Sequence, residues 1–135
     1  MTRGTFFLIK EDLTVLESTE FNGDMYPEGY GDIAFTMLKD VINETLEKIG
    51  DNPVYITFDL DSLDASVAPA VSNIEPGFTG FTIDEAKELI QAVKNKNVIG
   101  GDVVCLMPTK DQKNNITSMV AASIMFEIIS VIAYN

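Results

Sequence analysis

Three carboxylates follow one apolar run in this sequence. Residues 54–58 are β-branched and aromatic, and they lead directly into Asp59, Asp61 and Asp64. Asp59 and Asp61 lie two residues apart, so an extended backbone would point both side chains the same way. Two carboxylates at one strand end repel each other unless a cation lies between them. The spacing predicts a divalent metal site with Asp59 and Asp61 as ligands, and a solvated acidic loop with Asx turns is the alternative.

The chain offers few other groups for catalysis. Its 135 residues include no histidine and one cysteine, Cys105. Histidine is the most frequent general base and a leading transition-metal ligand, so a mechanism here has to use carboxylates, hydroxyls, lysine, the thiol or water. Cys105 lies in an apolar run with no evident base, which favours a small core residue over a nucleophile. Asp102 follows a Gly-Gly pair and is either a site carboxylate or a structural acceptor. No catalytic residue is assigned.

The elements that must position these residues alternate between helices and strands. Residues 33–49 carry apolar side chains at helical spacing, and Gly50 ends that helix. Residues 54–58 lack alternation, which predicts a strand buried on both faces of a parallel sheet. Residues 82–85 form a capping box that begins a second helix. Residues 98–107 predict a second buried strand.

Three further segments complete the pattern. Residues 13–16 are a short β-leaning run, and residues 19–32 are polar and Gly-rich, as in a loop. Residues 115–134 are apolar nearly all round, but serines and a glutamate interrupt them, which favours a buried or interface helix over a membrane span. Residues 1–135 are therefore predicted to form one α/β domain with a parallel sheet.

Composition excludes some partners. The net charge is -12 and 46% of the residues are hydrophobic, so a packed fold is expected rather than a disordered chain. The negative charge opposes binding to nucleic acid or to anionic membranes. It suits a cation or a cationic substrate, and it also keeps a protein soluble. With no apolar N-terminal run of signal-peptide length, a cytoplasmic location is expected.

Several motifs resemble the ureohydrolase superfamily, which includes arginase, agmatinase and formimidoylglutamase. Residues 58–64 resemble its F-D-x-D-x-x-D-P motif, and Gly80-Phe81-Thr82 stands where the family has Gly-Leu-Thr before a helix. Residues 101–108 resemble its L-D-x-x-E-x-N-P strand. Residues 68–72 are reminiscent of the formimidoylglutamase branch. The resemblance is clearest from Val54 to the C-terminus.

The resemblance implies a three-layer α/β/α fold with a mainly parallel sheet, arginase-like and truncated on its N-terminal side. It also implies hydrolysis of linear C-N bonds in a small guanidino or formimino substrate, with two Mn²⁺ ions that activate water. Asp59 would bridge the two ions and Asp61 would be a further ligand. Asp64, Asp102 and Cys105 are the candidates for substrate binding. Cys105 takes the position of the family glutamate that binds the guanidinium group.

The departures leave alternatives open. The family's other metal ligands, two histidines and two aspartates, belong to an N-terminal half that this sequence lacks. The isolated chain is therefore expected to be incomplete and inactive, and to form a homo-oligomer or to pair with the missing half. A second hypothesis is a non-catalytic paralogue that acts as an oligomerising or regulatory subunit. A third is a haloacid dehalogenase-type phosphatase, with Asp59 as nucleophile and Asp61 as acid/base over Mg²⁺.

Overall fold

A computed structural model of the chain describes residues 3–9, 15–22, 42–74 and 80–134. Its strands and helices are, in chain order, β1 Arg3–Ile9, β2 Val15–Asn22, α1 at 42–49, β3 Val54–Asp59, α2 Ile83–Gln91, β4 Val98–Val104 and α3 Ile116–Tyr134. Short 3-10 turns follow β3 and β4, at Leu60–Ser62 and Pro108–Lys110.

The two central strands are parallel. In β3 and β4 the register runs from Val54 opposite Val98 to Asp59 opposite Val104. Helix α2 connects them, so β3, α2 and β4 form a βαβ unit. This confirms an α/β fold with a parallel sheet. Strands β1 and β2 form a separate antiparallel ladder.

Among the described residues, helix α3 contributes more buried side chains to the core than any other helix or strand. It packs on β4 and α2, and the side chains of Ile124, Ile128 and Val131 are fully buried. A Cβ added at Gly101 in β4 would come within 2.7 Å of Ile128 Cγ2, so a glycine there lets the helix approach the strand. The rest of this core comprises Leu60, Leu63, Ala68, Val71, Ala86, Ile90, Val98 and Ala121.

Two predicted helix boundaries are confirmed. Thr82 Oγ1 accepts a hydrogen bond from the Glu85 N–H at 3.3 Å, and Glu85 Oε2 accepts one from the Thr82 N–H at 2.8 Å. This capping box begins α2. Gly50 has a φ of 57° and ends α1 in the left-handed conformation that glycine adopts without strain.

Two predictions about the strands are wrong, and one strand was missed. Residues 19–22 belong to β2 instead of a loop, and β1 was not predicted. Strand β4 ends at Val104 because Cys105 has a φ of 66°, which an extended strand cannot continue. The loop predicted at 23–32 and the helical turns predicted at 33–41 lie outside the described residues.

The parallel sheet is covered on one face, which corrects the expectation of strands buried on both. Tyr55 in β3 is 57% exposed and Ile99 in β4 is 63% exposed, whereas Ile56 and Val98 contribute to the core. Residues on one face of a strand alternate with those on the other, so α3 can bury only one set. The apolar composition of the strands did not reveal which face would be covered.

Helix α3 is long and apolar enough to cross a membrane, by length and composition alone. One of its faces packs on the sheet. Its acidic residue, Glu127, contacts Lys87 at 3.5 Å and accepts a hydrogen bond from Gln91 at 2.8 Å. These contacts with α2 are typical of a core helix of a globular domain.

Asp111 caps the first turn of α3 from outside the helix. Its Oδ1 accepts hydrogen bonds from the N–H groups of Gln112 and Thr117, and its Oδ2 accepts from the N–H and the hydroxyl of Ser118. Partial burial opposes ionisation, but the bonds from Ser118, Thr117 and Gln112 outweigh it and lower the pKa of Asp111 to about 2. The carboxylate also complements the positive end of the helix dipole.

The variant Asp111→Asn is expected to lower the melting temperature at neutral pH, because its side chain is uncharged. A carboxylate with a lowered folded-state pKa stabilises above its unfolded pKa of about 4, and the stabilisation disappears as pH falls through about 2. The difference between wild type and variant should therefore shrink between pH 4 and pH 2 in thermal unfolding followed by circular dichroism. Asp51→Asn, on an exposed turn, controls for the lost charge. A difference independent of pH would contradict the assignment.

Candidate metal site

The parallel register places two chain segments at one edge of the sheet. Asp59 ends β3 opposite Val104, which ends β4, so the residues that follow both strands are neighbours. Leu60 and Leu63 follow Asp59 and are almost completely buried. These two leucines anchor the acidic segment in the core. The edge formed by the carboxyl ends of parallel strands is where α/β proteins bind ligands.

Asp59 and Asp61 meet through a turn. The backbone leaves the extended conformation at Leu60 and forms a 3-10 turn, and the Asp61 N–H donates a hydrogen bond to Asp59 Oδ1 at 3.2 Å. The Ser62 hydroxyl donates to the Asp59 carbonyl at 2.7 Å. The sequence argument assumed extended backbone through both residues, so its geometric reason was wrong. The two carboxylates nevertheless lie together.

Cys105 lies beside these carboxylates. Its thiol donates a hydrogen bond to Asp59, and this bond, partial burial and the negative charges of Asp59 and Asp61 raise the pKa of Cys105 to about 11. A high pKa disfavours the thiolate, which agrees with the prediction that Cys105 is no nucleophile in the metal-free chain. The half-buried position next to two carboxylates differs from the apolar core position that the sequence suggested.

These three side chains form a potential ligand set. One ligand atom each from Asp59, Asp61 and Cys105 lies within 4.8 Å of the others. Carboxylate oxygens are hard donors that suit Mn²⁺ or Mg²⁺, whereas a thiolate is a soft donor. The described residues thus offer three donor atoms at this edge, enough for a partial coordination shell around one ion.

The Asp64 carboxylate accepts hydrogen bonds within its own loop. Its Oδ1 accepts hydrogen bonds from the hydroxyl and the N–H of Ser66, the latter at 2.9 Å. These bonds, together with a backbone bond from Gly80, lower the pKa of Asp64 despite some desolvation. The arrangement is an Asx turn, and Asp64 does not belong to the group of three potential ligands.

Asp102 is also separate from that group. It lies within β4, and Asp102 Oδ2 accepts a hydrogen bond from the hydroxyl of Tyr55 at 3.2 Å. Its Oδ1 is buried and has no hydrogen-bond partner among the residues that the structure describes. Of the three residues predicted to bind substrate, the structure thus brings Cys105 alone close to Asp59 and Asp61.

Residues that sequence reasoning missed hold Cys105 in place. The Ser72 N–H donates to the Cys105 carbonyl at 3.2 Å, and Val71 bridges Leu106 in the antiparallel sense. The same loop is tied to α3, because the buried Thr117 hydroxyl accepts a hydrogen bond from the Ala70 N–H at 3.1 Å. A threonine in an apolar helix carries no sequence signal for such a contact.

Gly80 lets a second segment pass close to the acidic turn. Leu63 and Phe81 form a parallel bridge, and the Asp64 N–H donates to the Phe81 carbonyl at 2.9 Å. A Cβ added at Gly80 would lie 2.4 Å from both Asp64 N and Leu63 C. Only a glycine fits at that distance, because the atoms in the way are backbone.

Fold and site together define the class: an α/β protein with a group of potential metal-ligand side chains at the carboxyl edge of a parallel sheet. The sequence model of the arginase family matches residues 30–130. The chain belongs to the arginase family. This confirms the resemblance drawn from the motifs and decides against the phosphatase alternative.

Individual relatives agree with this assignment. Agmatinase from Escherichia coli (strain SE11) is 34% identical over 125 residues, which cover 93% of this chain and 36% of the relative. The proclavaminate amidino hydrolase of Streptomyces clavuligerus superposes with a TM-score of 0.66 at 28% identity, over 78% of this chain and 34% of that one. Formimidoylglutamase from Bacillus subtilis gives 0.59 at 29% identity, over 76% and 30%. The chain spans about a third of the length of these relatives.

The variant Gly80→Ala is expected to lower the free energy of unfolding by about 1–3 kcal/mol, because the methyl group forces two backbone segments apart. Gly100→Ala is the matched control: its Cβ would meet the ring of Tyr55 at 3.0 Å, and that exposed side chain can move. Chemical denaturation of both variants measures the difference. Equal effects would contradict the close approach at Gly80.

Proposed function

We propose that this chain carries part of the metal centre of an arginase-family hydrolase that acts on linear C-N bonds of guanidino or formimino compounds. The observation that carries the proposal is the meeting of Asp59 and Asp61 at the carboxyl edge of the β3–β4 pair. Membership of the arginase family supports the reaction class, and the agmatinase, amidino hydrolase and formimidoylglutamase relatives support the substrate class.

The donor set suits a divalent cation in this role. Asp59 and Asp61 offer hard oxygen ligands of the kind that Mn²⁺ prefers. A divalent cation would supply Lewis acidity for the attack of water on an amidine-type carbon. The protein groups hold the cation and add negative charge, which favours a cationic substrate.

The isolated chain is proposed to be incomplete for catalysis. The described residues bring together three ligand atoms, and the 135 residues include no histidine to add further ligands of that type. Cys105 also stands where the resemblance places a substrate-binding glutamate, and a thiol cannot form the paired hydrogen bonds that a carboxylate makes with a guanidinium group. A working centre would then need ligands from a partner segment or chain.

A second candidate is a non-catalytic subunit that assembles with another copy of the chain. Helix α3 exposes large apolar side chains away from the sheet: Met119, Phe126 and Ile129 are more than half exposed. They recur at helical spacing along one face, and exposed apolar faces of this kind mark interaction surfaces. Self-association without metal binding would favour this candidate over the first.

Mn²⁺ is expected to bind the wild-type chain with a Kd in the micromolar range (about −8 kcal/mol) and to bind Asp59→Asn/Asp61→Asn at least about tenfold more weakly. The amide substitutions keep side-chain shape and remove two charges. Isothermal titration calorimetry measures both affinities. Asp51→Asn/Asp84→Asn, two exposed positions, removes the same charge away from the site. Equal binding by wild type and the Asp59/Asp61 variant would refute the proposed site.

With Mn²⁺, the isolated chain is expected to release no urea from arginine or agmatine and no formamide from formimidoylglutamate above the level of Asp59→Asn/Asp61→Asn. The physical reason is the partial ligand set, which cannot hold two ions in fixed positions. Colorimetric assays of both products test this. Turnover by wild type that disappears in the variant would show that the chain is active alone.

A further inference from the structure

Cys105 is a member of the proposed metal site, and its chemistry differs from that of its neighbours. Its Sγ lies within 4.8 Å of ligand oxygens of Asp59 and Asp61. The chain has one cysteine, so this side chain is the single thiol in the sequence. The ligand set thus combines two hard oxygens and one soft sulfur.

The backbone holds Cys105 at this place. The residue has a φ of 66°, in the left-handed region that residues other than glycine adopt only when the surrounding structure holds them there. The Ser72 N–H secures its carbonyl at 3.2 Å, and the Met107 N–H donates to the Ala70 carbonyl at 2.9 Å on the other side. Cys105 is therefore fixed where β4 ends, opposite the end of β3.

The donor types decide which cations such a site prefers. Mn²⁺ binds oxygen ligands well and has the lowest affinity in the Irving–Williams series, whereas Zn²⁺ and Co²⁺ lie higher in it. Zn²⁺ accepts aspartate and cysteine ligands in one tetrahedral shell, with a metal–sulfur distance of about 2.3 Å and metal–oxygen distances of about 2.0–2.2 Å. Ligand atoms of one tetrahedral ion lie about 3.5 Å apart at these bond lengths. The three donors lie within 4.8 Å of one another, so side-chain rotations would have to bring them closer for one ion to bind all three.

We propose that Cys105 is the third ligand, together with Asp59 and Asp61, of a single site that prefers Zn²⁺ or Co²⁺ over Mn²⁺. This inference rests on the proposed metal site of the previous section. On binding, the Cys105 S–H bond breaks, its proton passes to the buffer, and the sulfur electron pair forms the bond to the ion. No oxidant or reductant takes part.

Co²⁺ is the probe for the sulfur ligand. A near-ultraviolet sulfur-to-cobalt charge-transfer band should appear when Co²⁺ is titrated into the wild-type chain, and with one cysteine in the sequence this band reports Cys105 alone. Zn²⁺ added afterwards should abolish the band by displacement. At constant pH, the wild type should release one proton more per bound ion than Cys105→Ser does.

The variant Cys105→Ser keeps the size of the side chain and removes the soft donor. It should weaken binding of Zn²⁺ and Co²⁺ at least about tenfold, in the range seen when groups around metal sites are replaced. Its affinity for Mn²⁺ should change much less, because Asp59 and Asp61 remain. Circular dichroism of the variant checks that the fold is kept. The cobalt band is measured on the wild type, so it tests the sulfur ligand even if the variant does not fold.

The outcomes separate this inference from the function on which it rests. Cobalt bound without a charge-transfer band, together with unchanged Zn²⁺ affinity in Cys105→Ser, overturns the sulfur ligand. If Mn²⁺ binding is still lost in Asp59→Asn/Asp61→Asn, the carboxylate site stands. If no ion binds the wild type, or if that double variant binds every ion equally well, both proposals fail.

Discussion

The parallel pairing of β3 with β4 is the constraint on which the rest of this structure depends. Asp59 and Val104 end the two strands opposite each other, so the acidic turn and Cys105 meet although 46 positions separate Asp59 from Cys105 in the sequence. Parallel strands require a crossover connection, and α2 supplies it. Helix α3 packs on β4 and on α2, and it buries one face of the β3–β4 pair.

Two buried leucines fix the conformation of the acidic segment that follows β3. Leu60 and Leu63 enter the core, and this fixes the turn that carries Asp59 and Asp61 at the surface edge. Two neighbouring carboxylates repel each other, and the Asp61 N–H offsets part of this repulsion because it donates a hydrogen bond to Asp59 Oδ1. A cation would relieve the remaining repulsion, which links the stability of this edge to ligand binding.

The chain belongs to the arginase family, but Cys105 gives its candidate metal site a donor that the family resemblance did not predict there. The family's sequence model matches residues 30–130, whereas Cys105 brings a sulfur donor to the two carboxylates Asp59 and Asp61. Tyr55 and Ile99 are exposed on their face of the sheet, and the buried Oδ1 of Asp102 has no hydrogen-bond partner among the described residues.

The sequence by itself determined the local features. The apolar run before Asp59, the capping box at Thr82 and Glu85 and the glycine that ends α1 were all readable, because each depends on residues a few positions apart. The motif spacing likewise identified the family. The spacing also placed Asp59 and Asp61 together, but only the tertiary structure decided that Cys105 joins them while Asp64 and Asp102 do not, which sheet face is covered and where β4 ends. Strand register arises from contacts between segments distant in the sequence, and the left-handed backbone of Cys105 lies where such segments meet, so no local pattern encodes either feature.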